Sequence, residues 1–146
     1  MIKKENKTKI LVIHGPNMNL IGHRYKKNKT RVTLDKINRC LRKEAIKIKQ
    51  EIRMIQTNDE GDAVTILQRQ RNKICGILLF PGAWQKSGYV LKDTLGLFSI
   101  PFITISLGEK AEVLRGIDNI LEEDIYKACE IALARLADSI ELKDIW

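Results

Sequence analysis

The chain has 146 residues, of which 44% are hydrophobic and 30% are charged, and a formal net charge of +8. This length suits one ordinary domain, so we expect residues 1–146 to form a single domain in which residues 1–8 are flexible. The sequence contains no apolar run long enough to cross a bilayer, and the first residues lack the apolar core of a signal peptide. We therefore expect a cytoplasmic protein without a membrane partner.

Apolar and polar residues alternate in blocks that predict strands and helices in turn. The predicted strands are residues 10–13, 52–55, 74–80 and 101–107, with a fifth edge strand near residues 113–117. The first predicted helix follows a Thr33 cap, the second lies around residues 63–67, the third begins near Ser87, and the last runs from about Glu122 to Ile140. Residues 25–31 are rich in Lys and predict a mobile, lid-like loop. This order of elements indicates a three-layer α/β/α fold with a doubly wound parallel sheet of four to five strands.

The loop after the first predicted strand is the first candidate for a ligand site. It reads His14-Gly15-Pro16-Asn17-Met18-Asn19-Leu20-Ile21-Gly22-His23-Arg24. Glycine and proline allow a sharp turn there, and Asn17 and Asn19 carry amide groups that can hold the loop or contact a substrate. In open parallel sheets, ligands bind beyond the carboxyl ends of the strands, which is where this loop is expected.

Basic residues are concentrated in the first half of the chain. Residues 1–73 hold 19 Lys and Arg against 7 Asp and Glu, whereas residues 74–146 hold 7 against 11. A basic half can attract nucleic acid or an anionic metabolite. Because no aromatic ladder or recognised nucleic-acid motif accompanies the charge, we do not expect a nucleic-acid partner. A nucleic-acid or protein-binding module that uses the basic half remains a weaker interpretation, beside the two hypotheses given at the end of this section.

Metal and disulfide chemistry have little support in the sequence. Cys40, Cys75 and Cys129 are far apart and lack the close spacing of a zinc site or a redox pair, so we expect reduced, mostly buried thiols. His14 and His23 have no nearby carboxylates that would complete a metal site. We therefore predict no metal.

Three stretches of the chain resemble, in the same order, motifs of the type II 3-dehydroquinate dehydratases. They are the loop 14–24, the stretch 56–61 (Gln-Thr-Asn-Asp-Glu-Gly) and the stretch 80–84 (Phe-Pro-Gly-Ala-Trp). The resemblance implies a flavodoxin-like strand order 2-1-3-4-5 and a homo-oligomer, either a trimer or a dodecamer. It also implies the shikimate-pathway conversion of 3-dehydroquinate to 3-dehydroshikimate and water, which needs no cofactor.

The base of this reaction is the first group that the resemblance places in doubt. In the family a Tyr of the first loop is the base and a neighbouring Arg activates it. The Arg matches Arg24, but the Tyr position falls on Lys29, whose ammonium is protonated near neutrality. Tyr25, next to Arg24, is the candidate for a displaced base.

The acid and several binding groups of the family are also replaced. The family's catalytic His falls on Ser106, whose hydroxyl cannot act as a general acid at neutral pH. Its first Asn falls on His14, another Asn on Phe80 and a further His on Lys86. The amide groups near Gly108 match those that hold the substrate carboxylate in the family.

These substitutions lead to two hypotheses. In the first, dehydratase activity is absent or very low, and a cationic pocket with Arg24, Lys29 and Lys86 binds a small anionic or cyclic carboxylate ligand. In the second, the chain is an active dehydratase that uses displaced groups such as Tyr25 and His14, or His23. Under both hypotheses Asn17, Asn19, Ser106 and Gly108 are expected to line the same site.

Overall fold

Five parallel strands form the central sheet of the computed structural model, which describes residues 7–144. In chain order they are β1 (Lys9–His14), β2 (Glu51–Gln56), β3 (Ile74–Phe80), β4 (Phe102–Ser106) and β5 (Asp118–Leu121). Their order across the sheet is β2-β1-β3-β4-β5, and every neighbouring pair is parallel. The parallel sheet and the order 2-1-3-4-5 are thus confirmed. Of the segment 1–8 that we expected to be flexible, residues 1–6 lie outside the described part of the chain.

Helices cover both faces of the sheet. They are α1 (Leu34–Lys47), α2 (Glu60–Gln70), α3 (Trp84–Ser87), α4 (Tyr89–Leu97) and α5 (Ile125–Asp144), and a 3₁₀ helix (Met18–His23) follows β1. Helices α1 and α5 pack together on one face, and α2 and α4 pack together on the other. None of the helices within residues 7–144 combines the length and the apolar character that a membrane span requires.

The alternation of side chains along β1 builds the two cores. Ile10 and Val12 join the core beneath α1 and α5, whereas Leu11 and Ile13 join the core beneath α2 and α4. All four side chains are fully buried, as expected for a central parallel strand with helices on both faces. The carboxyl end of β1 is therefore held rigidly at the point where the first loop begins.

The fifth strand and the last helix lie later in the chain than the sequence predicts. Strand β5 covers Asp118–Leu121 rather than residues 113–117, and α5 begins at Ile125 rather than near Glu122. Asn119 fits a strand because its Oδ1 accepts the hydroxyl of Thr104 on β4, at 2.6 Å. Asp124 starts the helix because its Oδ1 accepts the backbone N–H of Tyr126 at 3.0 Å.

Residues 25–31, expected to be a mobile lid-like loop, form a short antiparallel hairpin instead. Its strands are Lys26–Lys27 and Thr30–Arg31, and its turn residues Asn28 and Lys29 both have positive φ. The hairpin is fastened to the segment before α5 by an ion pair of 2.6 Å between Lys27 Nζ and Asp124 Oδ2. The predicted lid therefore has regular structure and a defined contact with the rest of the domain.

Candidate functional site

A cavity of about 550 Å³ lies at the carboxyl ends of β1, β3 and β4. In the sheet, β2 lies on one side of β1 and β3 on the other, so the strand order reverses at β1. The carboxyl ends of the strands next to such a reversal are where open α/β sheets bind ligands. The first loop contributes Pro16, Asn17, Met18, Leu20, Ile21, His23, Arg24 and Tyr25, and the remaining lining residues are Phe80, Gly82, Ala83, Lys86, Ile105, Leu107 and Glu109.

The first loop is held by the second of the three motifs. Asn17 has a left-handed backbone with φ of 67°, and its N–H donates to Asn58 Oδ1 at 3.0 Å. Gln56 Nε2 donates to the carbonyl oxygen of Gly15 at 3.2 Å and to Asn58 Oδ1 at 3.1 Å. The motif 56–61 thus supports the loop that lines the cavity.

The third motif presses against the first at Gly15. The N–H of Gly15 donates to the carbonyl oxygen of Phe80 at 2.9 Å. A Cβ atom at Gly15 would lie 2.8 Å from that oxygen and 2.9 Å from the carbonyl oxygen of Pro81. Only glycine allows this approach, which brings the loops after β1 and β3 together around one cavity.

Charged side chains of both signs line the cavity. Arg24 comes from the end of the 3₁₀ helix, Lys86 from α3, and Glu109 from the loop after β4. Glu109 Oε2 accepts the backbone N–H of Leu107 at 3.2 Å. Arg24 and Lys86 were expected from the sequence but Glu109 was not, so the wall is less uniformly cationic than predicted.

The predicted site residues fall into two groups. Those that line the cavity are Asn17, Arg24, Tyr25 and Lys86, together with His23 from the alternative hypothesis. The lining residues of the described chain do not include His14, Asn19, Lys29, Ser106 or Gly108. Lys29 lies at the exposed hairpin tip because the segment that was expected to be a lid folds into a turn there. Ser106, the last residue of β4, is 4% exposed and is buried in the domain rather than at the cavity wall.

Tyr25 is held by its hydroxyl, which donates to the carbonyl oxygen of Glu123 at 3.0 Å. The pKa of Tyr25 is raised above its ordinary value of 10.0, first by burial and then by the negative charges of Glu123, Asp124 and Glu109. A tyrosine base requires the opposite shift, because the phenolate must be accessible near neutral pH. The surroundings of Tyr25 therefore stabilise its neutral, protonated form.

His14 is buried inside the domain rather than presented to the cavity. Its Nε2 lies 2.8 Å from Asn38 Oδ1, and its ring stacks on Phe80 with the centroids 4.7 Å apart. Burial lowers the pKa of His14 to about 4, although the hydrogen bond with Asn38 opposes the shift. His14 is consequently neutral at pH 7, and Phe80 stands on the cavity side of it.

The fold brings two of the three cysteines together, since the side chains of Cys40 and Cys129 lie within hydrogen-bond reach of each other. Cys129 is buried, whereas Cys40 and Cys75 are half-buried, so two of the thiols are more accessible than the sequence predicts. Within the described residues 7–144, no three His, Cys, Asp or Glu side chains converge in a way that could hold a metal ion.

Comparisons with known proteins agree with this architecture. A family model described as dehydroquinase class II matches residues 8–115. The 3-dehydroquinate dehydratase of Synechocystis sp. is 32% identical over 127 residues, which cover 86% of this chain and 84% of that protein. The 3-dehydroquinate dehydratase of Roseiflexus castenholzii is 38% identical over 99 residues, 68% of this chain and 63% of that protein.

A solved structure shows the same fold. The crystal structure of the type II dehydroquinase from Butyrivibrio crossotus superimposes with a TM-score of 0.75 at 24% sequence identity. The likeness covers 88% of this chain and 96% of that chain. The fold, the position of the cavity and the family model lead to one conclusion: the chain is a member of the class II dehydroquinase family.

Proposed function

We propose that this family member binds a small carboxylate or phosphate in the cavity, and that dehydration of 3-dehydroquinate there is absent or very slow. The observation that carries the proposal is the composition of the cavity wall. Arg24 and Lys86 supply positive charge, while the phenol of Tyr25 donates to Glu123 and its pKa is raised. The wall is suited to attracting an anion and poorly suited to removing a proton.

The missing acid supports the same proposal. Dehydration needs a base for the proton next to the ketone and an acid for the departing hydroxyl. Ser106 occupies the position of the family's acid, but it is buried and outside the cavity lining. Because the pKa of His14 is lowered to about 4, its ring is neutral at pH 7 and has no imidazolium proton to give to a leaving group. Losing several such groups removes most of an enzyme's acceleration.

A second candidate function is dehydration by displaced groups, and one observation favours it. His23 is exposed and lines the cavity beside Arg24 and Tyr25, so an imidazole is available at the wall. If His23 is the base, His23→Ala abolishes turnover, whereas the matched change Asn19→Ala, at an exposed position outside the lining, leaves it intact. If Tyr25 is the base, Tyr25→Phe abolishes turnover.

The test combines turnover with ligand protection. Conversion of 3-dehydroquinate is followed by the ultraviolet absorbance of the conjugated product, and the expected rate equals that of buffer alone. Citrate and inorganic phosphate are then added in a thermal melt, where ligand at a hundredfold excess over Kd stabilises the fold by about 2.7 kcal/mol. Arg24→Ala and Lys86→Ala are expected to reduce that shift. Arg42→Ala and Lys92→Ala, at exposed positions outside the cavity lining, are the matched controls.

Two results would overturn the proposal. Turnover in the range of ordinary enzymes, roughly 1–10³ s⁻¹, would show that the chain is an active dehydratase. A melting temperature that no small carboxylate or phosphate raises would show that the cavity does not bind anions.

A further inference from the structure

The loop after β4 folds a carboxylate back onto its own backbone. Gly108 has φ of +107°, a conformation that favours glycine, and a Cβ added there would meet no atom within 4 Å. The turn at Gly108 brings Glu109 Oε2 to 3.2 Å from the N–H of Leu107, which donates to it. The sequence Leu-Gly-Glu thus builds a short, self-contained carboxylate contact at the end of β4.

This contact lies in the cavity wall. Leu107 and Glu109 both line the cavity, together with the cations Arg24 and Lys86. The pKa of Tyr25 is raised first by burial, then by the charges of Glu123 and Asp124, and last by that of Glu109. The charge of Glu109 therefore acts on another residue of the cavity wall. A negative group already stands among the positive groups that would attract a ligand.

A backbone N–H just beyond the end of a strand can donate to an anion, because no carbonyl of a neighbouring strand accepts its hydrogen bond. Here a carboxylate of the same chain satisfies it. A free anion that enters the cavity competes with Glu109 for this N–H and meets the repulsion of its charge, while Arg24 and Lys86 attract it. The two effects oppose each other within one cavity.

We infer that Glu109 is an internal ligand of the anion site and lowers its affinity for anions. Its carboxylate occupies the Leu107 N–H in the free protein, and an anion takes full advantage of the cavity only after Glu109 moves aside. Glu109 therefore weakens the binding of every small carboxylate or phosphate. This inference rests on the proposed function, because it concerns the same cavity.

The experiment measures the Kd of citrate by calorimetry for the wild type, Glu109→Gln and Glu109→Ala. Glu109→Gln keeps the shape and an acceptor oxygen but removes the charge, and Glu109→Ala frees the N–H as well. We expect the affinity to rise from wild type to Gln to Ala. The Ala variant should gain roughly tenfold or more, the factor that corresponds to one charge-assisted hydrogen bond. Glu112→Gln, at an exposed glutamate of the same loop outside the cavity lining, should leave the Kd unchanged.

A second readout does not need a ligand. An ultraviolet titration compares Glu109→Gln with the wild type, each also in a Tyr25→Phe background so that the signal of Tyr25 is isolated. Removal of the charge at Glu109 should lower the pKa of Tyr25. A residue that only stabilises the loop would change the melting temperature but not the Kd of citrate.

The outcomes separate this inference from the proposed function. Citrate binding of equal strength in the wild type and both Glu109 variants would overturn the inference and leave the anion site standing. Absence of binding in all three proteins would overturn the anion site itself, and this inference with it.

Discussion

Gln85 and Leu114 are joined through both polar atoms of the glutamine side chain. Gln85 Nε2 donates to the carbonyl oxygen of Leu114 at 2.8 Å, and Gln85 Oε1 accepts the N–H of Leu114 at 2.9 Å. The same Oε1 accepts the N–H of Glu112 at 3.1 Å, and the side chain is 1% exposed. One buried residue thus fixes the segment 112–114 to the helix α3, which carries Lys86.

Replacement of Gln85 by Met is expected to destabilise the fold strongly. The change keeps the volume of the side chain but leaves the buried N–H and carbonyl of Leu114 and the partly buried N–H of Glu112 without their partner, at about 1–3 kcal/mol for each buried group. We expect a loss of about 3–5 kcal/mol in the free energy of unfolding, measured by urea denaturation. Gln68→Met, at an exposed position on α2, is the control and should change stability by less than about 0.5 kcal/mol. Equal effects of the two variants would contradict the role of Gln85.

The pH dependence of stability follows from His14. Its pKa is about 4 in the folded protein and 6.5 when unperturbed, because burial disfavours the charged ring. As pH falls, the unfolded chain binds a proton at this ring before the folded protein does. The stability that the neutral ring contributes to the fold is therefore fully present above pH 6.5 and is lost as pH falls through that value toward 4. The expected loss over this window is about 3 kcal/mol.

The measurement is the free energy of unfolding by urea at several pH values between 4 and 7. His14→Asn removes the titrating ring and should flatten the pH dependence in this window. His23→Asn, at the exposed histidine, should retain the slope that His14 produces. A wild-type slope that survives in His14→Asn would contradict the assignment.

The tip of the hairpin has a residue that its backbone does not favour. Lys29 has φ of 64° and follows Asn28 with φ of 51°, a two-residue turn in which glycine is preferred at the second position. Lys29→Gly should stabilise the fold by about 0.5–1 kcal/mol by relieving this conformation. Lys26→Gly, within the hairpin strand, should destabilise it instead. If Lys29→Gly also weakens citrate binding, Lys29 belongs to the anion site after all.

Two glycines offer a matched pair of tests for the contact between the loops. Gly15→Ala places a Cβ 2.8 Å from the carbonyl oxygen of Phe80, so the loops after β1 and β3 must separate. We expect a loss of about 2–3 kcal/mol in stability together with weaker citrate binding. Gly96→Ala, on α4 with open space around it, should instead stabilise the fold by about 0.5–1 kcal/mol. A neutral Gly15→Ala would contradict the close approach of the two loops.

The first four strands of the sheet could be predicted because short, mainly apolar stretches of four to seven residues are typical of buried parallel strands. Strand β5 could not be found in this way. Its residues Asp118 and Asn119 are polar, and Asn119 is satisfied by Thr104 on the neighbouring strand, whereas the apolar pair Val113 and Leu114 is buried in an irregular segment. Hydrophobic pattern alone places the strand on the wrong residues.

The site was predicted in part for a similar reason. The motifs located the loops, and Asn17, Arg24, Tyr25 and Lys86 do line one cavity. Counting residues from Arg24 put Lys29 in the site, but Lys29 lies in the turn of the hairpin and is not among the residues that line the cavity. Glu109 was missed because its position depends on the backbone turn at Gly108; the signal available in the sequence was a glycine followed by an acid directly after a strand.

A single calorimetric titration of 3-dehydroquinate into the wild-type protein tests the central claim most directly. Binding without chemistry gives a saturable isotherm in which the thermal power returns to baseline after each injection, and this is the result we predict, with the heat reduced in Arg24→Ala. Turnover gives a sustained thermal power that decays only as the substrate is consumed. Sustained power at the rate of an ordinary enzyme, or no heat at all, would contradict an anion-binding family member with little or no dehydratase activity.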